Sequence, residues 1–244
     1  MLLKKKKPRQ FLWLLLAIGF GALLLQPRWL FAIAAQVRPG ALYAVDLPKT
    51  APKLVALTID DGPSEDTLEI LEVLDRHDAK ATFFSISDYV PGHEAAIAQT
   101  IQSGHELGNH LTADEPSIRL SKFAFEADLG RAEAVLAPYM PNKELTWLRP
   151  GMGFYSAEMV DTANRHGYKL ALGSVFPYDT HIPSVAFASA FILNTVEPGD
   201  IIVLHDGKDG RSQRTIATLE RILPVLRERG YRVTTLSALV KQAD

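Results

Sequence analysis

Two aspartates stand side by side in Thr58-Ile59-Asp60-Asp61-Gly62-Pro63-Ser64, at the end of an apolar run and just before a Gly-Pro step that turns the chain away. Neighbouring carboxylates repel unless a proton or a cation comes between them. A metal on one would let the other stay ionised and act as a base, whereas a turn or helix-cap role would leave the same pair without chemistry. Farther on, His110 and Asp114 are four residues apart. On a helical turn, side chains at that spacing face one way and can grip one ion, although a capping or surface pair has the same spacing. Arg149, Asp179, His205 and Asp206 complete the set of polar groups with chemical potential.

The elements that must position these groups can be read from hydrophobic periodicity. Short β-rich runs are expected at Leu54 to Ile59, Ala81 to Ile86, His105 to Asn109, Thr146 to Leu148, Lys169 to Val175, Ile201 to Leu204 and Arg232 to Thr235. Between them, helical patterns run over Thr67 to Asp75, Glu94 to Gln102, Lys122 to Leu136, Ala157 to His166 and Thr215 to Arg229, with Ser121 and Ser156 as cap candidates. Alternation of this kind implies βα units and a parallel sheet, and seven strands suffice for a barrel. Almost every polar cluster follows a strand: Asp60 and Asp61 the first, His110 the third, Arg149 the fourth, Asp179 a little after the fifth, His205 and Asp206 the sixth. Strand C-termini of a (β/α) barrel share one face, so residues distant in sequence converge there.

Composition narrows the chemistry. The 244 residues include no cysteine, which removes disulfides, thiol nucleophiles and Cys-based zinc sites and leaves any metal to His, Asp and Glu. Neither G-x-S-x-G nor G-x-x-x-x-G-K-[ST] occurs, which sets aside serine-hydrolase and P-loop chemistry. Residues 1–35 carry six basic residues and no acidic one, so the remainder holds 20 basic against 28 acidic residues. That acidic body argues against nucleic acid as a partner.

The N-terminal segment reads as an export signal: Lys4 to Lys7 precede the uncharged run Phe11 to Leu25, and a second apolar patch, Trp29 to Ala35, follows Arg28. Fifteen residues cover about 22 Å against a hydrocarbon core of roughly 30 Å, which favours a cleaved signal peptide. Ala32 and Ala34 offer an A-x-A cleavage pattern, while Arg28 and Trp29 are out of place in one. Cleavage and anchoring both stand, and in either case the body is expected on the periplasmic or extracellular side. Residues 36–50 read as a linker, and 51–244 as one domain.

In order and spacing these segments resemble the polysaccharide deacetylase family (the NodB-homology domain, carbohydrate esterase family 4). TIDDGPS is similar to the family's first motif, ATFFSI and GHELGNH to the approach to its second, WLRPGMG to its arginine motif, and VLHDG with YRVTTLSAL to its closing segment. The resemblance spans roughly residues 53 to 240. It implies that Asp60 is the catalytic base, that Asp61 and His110 bind a metal, and that His205 is the general acid. Arg149 would orient the base, and Asp179 would pair with and tune His205. The family's second motif usually ends in histidine where this chain has Asp114. Aspartate is an acceptable third ligand, with Glu115 as a substitute.

The expected fold is thus α/β, a deformed (β/α)7 TIM-like barrel behind an N-terminal hydrophobic export or anchor helix. The expected function is metal-dependent removal of N-acetyl groups from an N-acetylhexosamine-containing glycan such as a chitin oligomer, peptidoglycan or an exopolysaccharide. The cofactor would be a divalent metal, zinc first, with Co, Mn or Fe as alternatives. Two further readings are a carbohydrate-binding domain that has lost turnover and an O-acetyl esterase. His77, His93, His166 and His181 are read as structural, and His105 as pointing away from the site. Tyr155, Phe176 and Tyr178 are candidates to stack on a sugar ring or to pack in the barrel.

Overall fold

A computed structural model of the chain describes residue 21, residues 26–140 and residues 145–243. The apolar run 11–25, read as an export or anchor helix, lies outside these residues apart from Gly21. Among the described residues no helix is long and apolar enough to cross a membrane.

The fold is organised around a ten-residue strand, β2 (Lys53–Gly62), of which all but the first residue are buried. A central parallel strand is covered on both faces, which is why its sequence is an almost unbroken apolar run. Val55, Leu57 and Ile59 pack outward with Ile70 and Leu74 of α2 (Thr67–Arg76) and Leu219 and Ile222 of α7 (Arg211–Glu228). Leu54 and Ala56 face inward, with Phe84, Trp147, Ala171 and Ile201.

From one edge of β2 the sheet continues in parallel through β3 (Thr82–Ser85), β4 (Glu106–Asn109), β5 (Trp147–Leu148) and β6 (Lys169–Ala171). The other edge is shared: β8 (Tyr231–Thr234) pairs with Lys53–Ala56, and β7 (Ile201–His205) with Ala56–Asp60. Beyond β6, Val175 forms a parallel bridge to Ile202, which joins the two ends of the sheet. This is the deformed (β/α)7 barrel expected, with β2 to β8 as its seven strands.

Four helices stand where periodicity places them: α2, α3 (Glu94–Gln102), α4 (Lys122–Leu136) and α5 (Ala157–Arg165). Ser121 and Ser156 accept from the backbone N–H of Ala124 and Met159, as the cap positions require. Three differences have physical reasons. First, α6 (Val185–Thr195) is apolar nearly all round, so no 3.6-residue polar stripe marks it. Second, α7 begins at Arg211, four residues before the expected start, because its first turn lacks the apolar spacing of the rest. Third, the stretch 36–50, read as a linker, supplies β1 (Ala41–Leu42), which pairs with β6, and buries Val45. Before it, Arg28–Val37 form α1. A short C-terminal helix, α8 (Leu236–Val240), buries Leu236 and Leu239.

Candidate active site

Thr58 and Asp60 continue the inward face of β2. In a regular strand Asp61 would then point outward, because successive side chains alternate. It does not, since pairing with β3 slips between Asp60 and Gly62 and Asp61 takes φ 65°. That bulge turns both carboxylates into one cavity of about 390 Å³, which Arg149, His110, His205, Asp114 and Arg211 also line.

Arg149, just after β5, is buried and held on several sides. Its Nη1 donates to Asp60 Oδ1 at 2.5 Å and to Thr58 Oγ1 at 2.8 Å, its Nε donates to the Ala171 carbonyl at 2.9 Å, and its guanidinium stacks 4.1 Å above the Phe84 ring. The guanidinium thus keeps Asp60 Oδ1 bonded and leaves Oδ2 to accept a proton. Arg149 Nη2 is buried and has no hydrogen-bond partner among the described residues.

Across the cavity His205, at the end of β7, sets Nδ1 3.0 and 3.1 Å from the two oxygens of Asp179, which also accepts from the His205 backbone N–H. Burial disfavours the charged imidazole, but the Asp179 carboxylate, helped by Asp60 and Asp61, outweighs it and pushes His205 up to about 9. With Nδ1 engaged, Nε2 is the nitrogen that can deliver a proton. Asp206, the next residue, is fully buried and does not line the cavity. It accepts from Ser64, Thr67 and Ser212 hydroxyls and from the Gly207 N–H, tying the turn after β2 to α2 and α7.

The expected metal ligands are only partly assembled. His110 Nδ1 donates to the Arg149 carbonyl at 2.6 Å, which turns Nε2 to Asp61 Oδ1 at 3.3 Å. Two such acceptors facing each other require a proton or a cation between them. Burial alone would raise the Asp61 carboxyl, but the His110 hydrogen bond and the positive charges of His110, His205 and Arg211 bring it down to about 2. His110 is raised, its burial being outweighed by Asp61 and Asp60.

Asp114 does not join this pair. The helical turn that would align positions 110 and 114 is absent: Leu111 adopts φ 66° and residues 112–115 form a bend, which Thr112 anchors by donating to Asp128. Between the two stands Arg211, the first residue of α7, whose Nη1 donates to Asp61 Oδ2 at 2.7 Å and lies 3.9 Å from Asp114 Oδ2. Among the described residues no three His, Cys, Asp or Glu side chains form a metal-holding group. As arranged, then, the donors do not fit a three-ligand divalent centre, and a guanidinium takes the third corner.

Other readings sort themselves by contact. His77 and His166 meet Glu220 and Glu126 at the surface, and His93 bonds the Tyr89 carbonyl. His105 points away from the cavity, accepting from Ala81 N–H, with burial drawing it down to about 4. His181, read as structural, lines the cavity, as do Phe31, Tyr43 and Phe176. Tyr155 is a packing residue that donates to the Arg38 carbonyl. Arg211 was missed because it precedes the apolar periodicity that marks α7.

The profile of the family described as polysaccharide deacetylase matches residues 48–171, half of the chain. A peptidoglycan-N-acetylglucosamine deacetylase of Bacillus cereus (strain ATCC 14579) is 34% identical over 192 residues, 78% of this chain and 89% of the relative. A chitooligosaccharide deacetylase of Sinorhizobium fredii (strain NGR234) is 30% identical, over 75% of this chain and 89% of the relative. Among solved structures, a mutant with restored activity of a CE4 family pseudoenzyme from Bacillus anthracis is 25% identical with a TM-score of 0.74, covering 84% of this chain and 72% of that one. On the matched profile, the shared length and the fold, this chain belongs to the polysaccharide deacetylase family.

Proposed function

We propose that this chain removes N-acetyl groups from an N-acetylhexosamine-containing glycan. The observation that carries the reading is the pairing of opposite proton roles in one cavity: Asp60 held by Arg149, and His205 held as its cation by Asp179. Amide hydrolysis needs both roles, because water must lose a proton as it attacks and the amine must gain one as it leaves. Asp60 Oδ2 takes the proton from water, the C–N bond breaks, and His205 Nε2–H protonates the sugar amine, releasing acetate. Support from relatives comes through the names peptidoglycan-N-acetylglucosamine deacetylase and chitooligosaccharide deacetylase.

Of the expected metal ligands, Asp61 and His110 remain as two donors of the kind zinc takes. Because Arg211 holds the third corner, no step here passes through a metal. The positive charge beside Asp61 comes from Arg211 and His110.

A second reading, a glycan-binding domain without turnover, is favoured by that same Arg211 contact. Acetate release from N-acetylglucosamine oligomers, peptidoglycan and acetylated xylan separates the readings, with Asp60→Asn and His205→Ala as controls. Release from the amide substrates that both variants abolish supports N-deacetylation, and release from acetylated xylan alone selects the O-acetyl esterase. Glycan binding that persists in Asp60→Asn, with no acetate from any substrate, selects the binding domain.

A further inference from the structure

Residues 26–37 follow the apolar run that ends at Leu25 and pack on the barrel, where Phe31 reaches the cavity. The Gln26 side-chain amide clasps the Phe176 backbone in both directions, donating to its carbonyl at 2.7 Å and accepting from its N–H at 2.8 Å. The Phe176 ring packs edge-on against His205, 5.6 Å between centroids. Arg28 donates to the carbonyls of Pro198 and Val45 and sets Nε 3.5 Å from Asp200, whose carboxylate is buried. Phe31, stacked near Tyr43, forms part of the cavity wall.

Cleavage at the A-x-A pattern, after Ala34, would remove all three of these residues. It would strip a buried carboxylate of its cation, a costly change in a barrel. The opposite face of α1 is apolar and uncovered: Trp29, Ile33 and Val37, spaced four residues apart, are 55%, 50% and 73% exposed. An apolar stripe turned outward, with tryptophan at its start and separated by three residues from an uncharged run that follows four lysines, has the chemistry of a helix lying in a membrane interface.

We propose that residues 26–37 are retained in the mature protein as a wall of the active site, and that the Trp29, Ile33 and Val37 face of α1 rests on the lipid surface. The cavity mouth is then held beside the lipid surface.

The test uses the full chain exported by a bacterial host and reconstituted in phosphatidylethanolamine and phosphatidylglycerol liposomes. Mass spectrometry of the exported protein should find residues 26–37 present, and a mature chain starting at or after residue 35 overturns the proposal. Because the chain lacks cysteine, single cysteines report alone. A nitroxide on Ile33→Cys should be relaxed at least about tenfold more by membrane-dissolved oxygen than by an aqueous nickel chelate, with the order reversed on Phe123→Cys, an exposed site on α4. Aqueous relaxation at position 33, or exclusion of both reagents by a covering protein, overturns the lipid contact. Arg28→Ala and Gln26→Ala should lower the thermal midpoint of the full chain, and unchanged midpoints in both overturn the structural role. None of these readouts requires acetate release, so they fail or succeed apart from the deacetylase reading.

Discussion

Replacing Asp179 by asparagine probes the least ordinary property of the site, an imidazole that stays charged well above neutrality. The amide would keep one oxygen for His205 Nδ1 but remove the negative charge that does most to hold the cation. What remains is burial, which acts against the charge, and the more distant Asp60 and Asp61. His205 should therefore fall from about 9 to its ordinary 6.5 or below. A fall of that size corresponds to on the order of 3 kcal/mol at 1.36 kcal/mol per pH unit.

The sign follows from linkage. A folded-state value above the unfolded 6.5 gives stability that is complete below pH 6.5 and is lost as pH rises through about 9. Wild type should thus lose stability between pH 6.5 and 9, while Asp179→Asn starts lower and is nearly flat across that window. In acetate release, the alkaline limb of the rate profile should move down with it, from about 9 towards 6.5, in the variant. Imidazole NMR titration of His205, with urea unfolding at about pH 6 and about pH 9.5, on either side of that window, measures both arms. A wild-type midpoint at or below 6.5, or a variant midpoint still near 9, refutes the reasoning.

Other outcomes follow from the same contacts. Arg149→Met leaves Asp60 buried without its cation and should cost about 3–5 kcal/mol in urea unfolding at neutral pH. Arg211→Ala frees Asp61 Oδ2, and isothermal calorimetry should show zinc binding at least about tenfold tighter than in wild type, whereas Arg211→Lys, which keeps the charge, should not. Asp206→Ala removes the buried acceptor shared by the hydroxyls of Ser64, Thr67 and Ser212 and the Gly207 N–H, so the unfolding free energy should drop by about 3 kcal/mol.

Much of the fold was legible because parallel barrel strands are buried on both faces and write themselves as apolar runs. β2 and β7 stand out for that reason, and α2 to α5 are found within a residue of their ends, with the Ser121 and Ser156 caps marking where α4 and α5 begin. Where the pattern is uniform or short, it is silent. α6 has no polar face to mark a period, and two-residue β1 is held by β6 rather than by any propensity of Ala41 and Leu42.

The sequence by itself determined which residues stand at the C-terminal ends of the strands, because strand length and hydrophobic spacing are local properties. Asp60, His110, Arg149 and His205 share a cavity on that account. Only the tertiary structure decided that Arg211 meets Asp61. Arg211 reaches Asp61 across 150 residues of chain, as Gln26 reaches Phe176, and no local pattern encodes a contact of that range. The bulge that turns Asp61 inward and the left-handed step at Leu111 that takes Asp114 off a helical turn are likewise settled by the sheet and the cavity around them. A carboxylate pair and a histidine can be read as chemistry in one dimension, but whether a guanidinium or a metal neutralises them depends on what the rest of the chain brings within hydrogen-bonding reach, as Arg211 does at 2.7 Å.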